Sequence, residues 1–192
     1  LSDENPLQPS MTRLGPHHAL TLNPYLGSDG VRPFLEQGRP HGQGVFVLVR
    51  TSNPSSSELQ MQELTAGGTL ADQTAQLVES LAAENVGESG FGDVGAVVGA
   101  THPDELAHFR SLMPHVPFLV PGYGAQGGTA DGIVDAFRDD GLGAIVNASR
   151  SVIFAWQKEE APDDWVGAAQ RACEAMNADL RTALQKADRW LA

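Results

Sequence analysis

The chain has 192 residues, 41% hydrophobic and 19% charged, with a net charge of −12. That length suits one domain with a sizeable core, and the acidic balance excludes a duplex-binding face, which must be basic. A single cysteine, Cys173, excludes an internal disulfide framework.

No apolar run approaches the roughly 20 residues of a membrane span. No signal-peptide pattern opens the sequence. The expected location is therefore the cytoplasm, and neither nucleic acid nor membrane is an expected partner. Residues 1–18 carry Pro6, Pro9 and Pro16 and read as a loop or the tail of an earlier element. Residues 19–23 read as a short strand closed by Pro24-Tyr25-Leu26-Gly27, and the cap-type residues Ser28 and Asp29 predict a short helix over 28–36. Gly44 to Val49 is a continuous β-branched and aromatic run, the pattern of a strand buried on both faces.

A polar stretch leads to Gly67-Gly68. Leu70, Leu77 and Leu81 then predict a helix over 69–83. Val94 to Val98 reads as the third strand, and Pro103 stands at the first position of a helix running to Leu112. Pro117 to Val120 is the fourth strand, followed by a predicted helix over 129–137; Gly143 to Val146 is the fifth. A turn at 149–155 and an acidic, solvated run at 159–164 precede a long amphipathic helix from about Trp165 to Trp190. Cys173 on that helix is expected to be buried, and Trp156, Trp165 and Trp190 to pack into the core.

Five β-α units with buried-type strands specify an α/β fold with a parallel sheet. Five strands do not close a barrel, whereas eight do. The chain is then either a complete open sheet or the C-terminal portion of a (β/α)8 barrel. Its start at Leu1-Ser2-Asp3-Glu4, without Met, favours the second reading: residues 1–192 as one domain, with barrel strands one to three missing from the front.

Two strand ends carry the chemistry. Phe118-Leu119-Val120 opens into Pro121-Gly122-Tyr123-Gly124-Ala125-Gln126-Gly127-Gly128, and Ala144-Ile145-Val146 opens into Asn147-Ala148-Ser149-Arg150. Glycines let backbone N–H groups approach an anion, and Arg150 adds a fork of donors that suits a phosphate. Loops after the last two strands of a (β/α)8 barrel form its phosphate site. Gly122, Gly124 and Gly127 also match the dinucleotide fingerprint, although no ribose-binding acid stands about 20 residues on. Ser52 beside Asn53-Pro54 reads equally as a turn residue, Gln126 as a generic loop amide, and Arg150 as a helix-surface residue. The six histidines (His17 and His18 adjacent, the rest scattered) show no repeated metal-ligand spacing, so no metal site is expected.

Asn23–Gly27, Gly44–Pro54, Val94–Thr101, Val120–Gly128 and Ala144–Arg150 together resemble orotidine 5′-phosphate decarboxylase, in the bacterial subgroup with a Pro-Gly-x-Gly-Ala-Gln-Gly-Gly loop. The resemblance runs from about residue 19 to 155 and is identified from five strand ends in order. It implies a (β/α)8 barrel, a homodimer, and conversion of orotidine monophosphate to uridine monophosphate in pyrimidine biosynthesis without metal or organic cofactor. It further implies that Ser52 binds the pyrimidine edge, that Gln126 bridges base and phosphate, and that Arg150 clamps the phosphate with help from Ser149 and the Pro121-Gly122-Tyr123-Gly124 turn. The family's chemistry needs an Asp-x-Lys-x-x-Asp motif on the third barrel strand. The only lysines are Lys158 and Lys186, both after the fifth strand, so no catalytic residue is expected in this chain. The competing readings are a phosphate-ligand binding module without catalysis and a nucleotide-dependent oxidoreductase.

Overall fold

The computed structural model describes residues 18–190 apart from 125, 160 and 161. The expectations for residues 1–17, among them His17 and the opening loop, lie outside the described residues. Strands β1 (Ala19–Leu22), β2 (Gly44–Arg50), β3 (Val94–Val98), β4 (Phe118–Pro121) and β5 (Ala144–Asn147) form one sheet in that order. Every pairing is parallel. The helices are α1 (Arg32–Gly38), α2 (Ser57–Gln60), α3 (Leu70–Ala82), α4 (Pro103–Leu112), α5 (Arg150–Ile153), α6 (Ala155–Lys158) and α7 (Trp165–Lys186).

Local chemistry explains the main boundaries. Helix α3 starts at Leu70 because Thr69 and Asp72 form a reciprocal capping box, each side chain accepting from the other's backbone N–H. Helix α4 starts at Pro103, whose missing N–H costs nothing in a first turn. Its end is fixed by Arg110, which donates to the carbonyls of Met113, Val116, Ala136 and Gly143. The same guanidinium lies 3.6 Å from the centroid of the Phe118 ring. Burial, with the nearby positive charge of Arg138, pulls its pKa down to about 10.

The two sheet faces differ. Val45, Val47, Ala96, Val98, Phe118 and Val120 are buried in one core with Val78, Leu81, Leu106 and Phe109 of α3 and α4. Leu48, Val97, Leu119 and Ile145 pair across four strands as one layer of the opposite face. That layer is incompletely covered: Ile145 is 58% exposed. The edge strand β1 is also open, with Leu20 at 42% exposure. The arrangement is an arc of parallel βα units and not a closed barrel.

Several expectations are corrected. Residues 129–137 hold a 3-10 helix at Asp131–Ala136 in place of an α-helix; Thr129 Oγ1 takes the N–H of Gly132, and a tight turn at Arg138–Gly141 follows at once. The short helix read over 28–36 is a 3-10 turn at Ser28–Gly30 followed by α1. The polar stretch after β2 contains α2, and the turn at 149–155 winds into α5 and α6. Cys173 is exposed. The inward stripe of α7 is Ala168, Ala172, Met176, Leu180 and Leu184, and Cys173 lies one residue off it. Trp165 and Trp190 are 59% and 41% exposed instead of core residues, because small residues such as Ala168 and Ala183 make the close contact of α7. Trp156 is half-buried. In the acidic run, Glu159 and Asp164 are exposed, as expected, and pair with Arg171.

Phe109 is fully buried where α4 meets the sheet. Phe109→Ala is expected to lower unfolding stability by about 3–5 kcal/mol, measured by urea denaturation; a loss below about 1 kcal/mol would show that the helix-covered face is not the core.

Candidate functional site

Parallel register brings the C-terminal ends of β2, β3, β4 and β5 to one rim. The ladder continues past the strands: Gly99 N–H donates to Arg50 O and Ala100 N–H to Pro121 O, both at 2.7 Å. Backbones crowd here. A Cβ on Gly99 would lie 2.9 Å from Ser52, and one on Gly122 would meet Ser52, Gln126 and Thr101 at 3.2–3.3 Å. Gly122 also has φ of +99°, a conformation that favours glycine. Ser52, Thr101, Gly122 and Gln126 therefore meet at one point.

The loop after β4 is pinched at its base. Tyr123 bridges to Gly128, Gly124 N–H donates to Gly128 O at 2.9 Å, and Gly128 N–H donates to Gly122 O at 3.1 Å. Its tip holds Gln126, exposed toward the next strand end. Between this loop and the end of β5 lies a polar cavity of about 200 Å³, walled by Pro121, Gly122, Tyr123 and Gln126 on one side and by Ser149 and Arg150 on the other. Gly124 lines the adjoining hollow beside α7. Ser52 does not line the cavity but touches its floor through Gly122. The sequence-predicted residues thus fall on one rim, with Ser52 one residue removed from the cavity wall. A larger, more apolar hollow of about 320 Å³ lies near Leu20, Phe34 and Val45, against the open edge strand and away from these polar groups.

Arg150 is exposed and lines the cavity. Among the described residues it makes none of the ion pairs that occupy Arg32, Arg39, Arg50, Arg138, Arg171 and Arg189. Asn147 Oδ1, at the cavity, and Thr101 Oγ1, beside Gly122, are buried without a hydrogen-bond partner among the described residues. Both oxygens belong to the strand-end rim. The Tyr123 hydroxyl donates to Asp179 Oδ2 at 2.5 Å; burial and that carboxylate push its pKa up to about 12.

Sequence reasoning missed the group behind the rim. Arg50, 2% exposed, donates to Glu105 at 2.6 Å, to Ser56 at 2.6 Å and to Ser57 at 3.3 Å. It also lies 3.2 Å from His102 Nδ1. Arginine only donates, so Nδ1 accepts and Nε2 carries the proton; that Nε2 is buried without a partner among the described residues. The available signal was a cation ending an otherwise apolar run, which demands a buried partner. Thr101 and Asn147 carried no such signal.

Residues 14–163 match the model of the orotidine 5′-phosphate decarboxylase / HUMPS family. The chain belongs to this family. It is 45% identical over 169 residues to an orotidine 5′-phosphate decarboxylase of Rhodopirellula baltica, covering 85% of this chain and 55% of that protein. A relative of the same name from Halorubrum lacusprofundi is 44% identical, with 84% and 58% covered. A crystal structure titled as a putative orotidine 5′-phosphate decarboxylase from Streptomyces avermitilis superposes with a TM-score of 0.69 at 37% identity, over 88% of this chain and 55% of that one. The chain therefore spans little more than half the length of the curated relatives it matches, and its fold is five βα units of the decarboxylases' (β/α)8 barrel, left open. These comparisons lend no support to the oxidoreductase reading or to a binding module of another class, and β5 ends in Asn147 where a dinucleotide site would want an acid. Lys158 and Lys186 end α6 and α7 and follow no strand.

Replacing Arg50 by Met strands Glu105 and two serines. Because Glu105 retains 29% exposure, Arg50→Met is expected to cost about 2–3 kcal/mol, read as a lowered urea midpoint. An unchanged midpoint would remove the guanidinium from the structural role given to it.

Proposed function

We propose that this chain is the C-terminal part of an orotidine 5′-phosphate decarboxylase, carrying base and phosphate recognition for the conversion of orotidine monophosphate to uridine monophosphate and carbon dioxide. The observation that carries the reading is the convergence of Gln126 and Arg150, which makes no ion pair among the described residues, on one polar cavity at the strand-end rim, in a member of that family. Arg150, with Ser149 and the Pro121–Gly124 turn, receives the phosphate; Gln126 reaches from phosphate to base; Ser52 takes the pyrimidine edge beside Gly122. Thr101 and Asn147 supply unpaired oxygens on the same rim.

Loss of carbon dioxide leaves an electron pair on the pyrimidine ring, and a proton donor must meet it there. No lysine stands on this rim, so the donor belongs to an upstream segment carrying Asp-x-Lys-x-x-Asp in the missing first strands. The half-open layer at Ile145, the open β1 edge and the 55% coverage of the Rhodopirellula relative support that division. This chain supplies binding energy far from the reacting carbon, which accelerates the reaction to the extent that it is realised in the transition state. A cytoplasmic homodimer, as the family resemblance implies, completes the proposal.

Two measurements test it. The full-length polypeptide is expected to release carbon dioxide from orotidine monophosphate, while residues 1–192 alone do not; a full-length polypeptide without that activity would refute the proposal. In the full-length polypeptide, Arg150→Ala is expected to weaken uridine monophosphate binding by about 2–4 kcal/mol, measured by calorimetry. Unchanged affinity would take Arg150 out of the phosphate site.

A further inference from the structure

Tyr123 stands between two hollows. On one side is the polar cavity with Gln126 and Arg150. On the other is a hollow of about 330 Å³ bounded by Gly124, Ser151 and Val152 together with Met176 and Asp179 of α7. The tyrosine ring is the shared wall, and its hydroxyl reaches across to Asp179, 56 residues away in sequence.

The base of the loop is packed, with Gly122 and Gly128 buried against Ser52, Thr101 and Ala100, but its tip has little else to hold it. Its backbone bonds at Gly122, Gly124 and Gly128 close the loop on itself and do not join it to a neighbouring element. Gly124 and Gly127 both have positive φ, so the tip has no side chain at two of its turning points. Among the described residues, the Tyr123–Asp179 hydrogen bond is the one side-chain hydrogen bond from residues 122–128 to another element. A loop pinched at its base and free at its tip can tilt into the hollow beside α7, which would carry Gln126 away from Arg150.

The geometry points to Tyr123 as a positioning residue: its hydrogen bond to Asp179 latches the loop against α7 and holds Gln126 and the loop N–H groups where a nucleotide phosphate is received. The inference rests on the phosphate-site reading above. The elevated phenol pKa keeps Tyr123 a donor throughout the neutral range. Asp179 sits on the third-last turn of the long helix α7, a rigid anchor.

The test uses the full-length polypeptide, with uridine monophosphate binding by calorimetry and uridine as a competitive inhibitor. Tyr123→Phe and Asp179→Ala are each expected to weaken uridine monophosphate binding about three- to tenfold, the loss of one hydrogen bond. Uridine, which lacks the phosphate and keeps only the base contact of Gln126, should lose clearly less affinity. Asp179→Asn keeps an oxygen acceptor and should restore most of the affinity, which a purely structural defect would not allow. Matching unfolding midpoints keep the fold out of the comparison. Wild-type affinity in Tyr123→Phe, beside weakened binding in Arg150→Ala, overturns the latch alone. Wild-type affinity in both overturns the phosphate-site reading and the latch with it. Equal weakening of uridine and uridine monophosphate also overturns the latch, because the effect would then not act through the phosphate.

Discussion

Two arginines tie together the rims of the sheet, and the site depends on one of them. At the N-terminal rim Arg110 gathers four carbonyls from the segments that lead into β4 and β5. At the C-terminal rim Arg50 joins the end of β2 to Glu105 and His102 beyond β3. A parallel sheet needs such seams, since its strands end at the same rim without hairpins to join them. The seam at Arg50 lies two residues before Ser52, and the glycines at 99 and 122 let Ser52 approach the next two strand ends closely. Ser52 and the loop that carries Gln126 then become neighbours through backbone crowding, with no element dedicated to joining them.

The charge distribution sharpens this division of labour. The chain carries −12 overall, yet most of its arginines are spent on structural pairs, several of them half-buried or buried. Arg150 stands apart from those pairs, at a polar cavity. An anion in that cavity meets one fixed guanidinium and the backbone N–H groups of glycine-rich turns, against a surrounding field that discourages nonspecific anions elsewhere. On the proposed reading, selectivity for a phosphate group rests on placing a cation that stands outside those pairs at the rim where the C-terminal strand ends converge.

Much of this was legible in the sequence, for physical reasons. Val94–Val98 is β3 residue for residue and Pro103–Leu112 is α4, because β-branched runs and an N-terminal proline are local signals. The glycine spacing after β4 and Arg150 after β5 pointed to neighbouring strand ends, and the structure brings both to one polar cavity. What stayed hidden is what depends on contacts distant in sequence. Arg50 meets partners 52 and 55 residues away, and Tyr123 meets Asp179 at a separation of 56. The tryptophans misled because size suggests burial; α7 instead packs through alanines that allow close approach, leaving Trp165 to water. The helix read over 129–137 failed for want of length: between the loop and the turn at Arg138 there is room for six 3-10 residues and no more.

The open face bears on how the proposed chemistry is divided along the chain. Leu48, Val97, Leu119 and Ile145 form a layer that is buried at Val97 and most exposed at Ile145 on β5, as expected of barrel-interior residues whose facing strands lie elsewhere. On the proposed reading, the rim above that layer receives a phosphate and a pyrimidine edge, and it carries no lysine. A reaction that draws its acceleration from binding a distant phosphate can be split in this way, because the clamp and the donor need only be held at a fixed separation and need not share a strand. The barrel supplies that separation: its closing strands would lay the donor over the same layer that now faces water. The apolar surface exposed at Ile145 and the missing lysine are then one fact seen twice, since the strands that would cover the first are those proposed to carry the second.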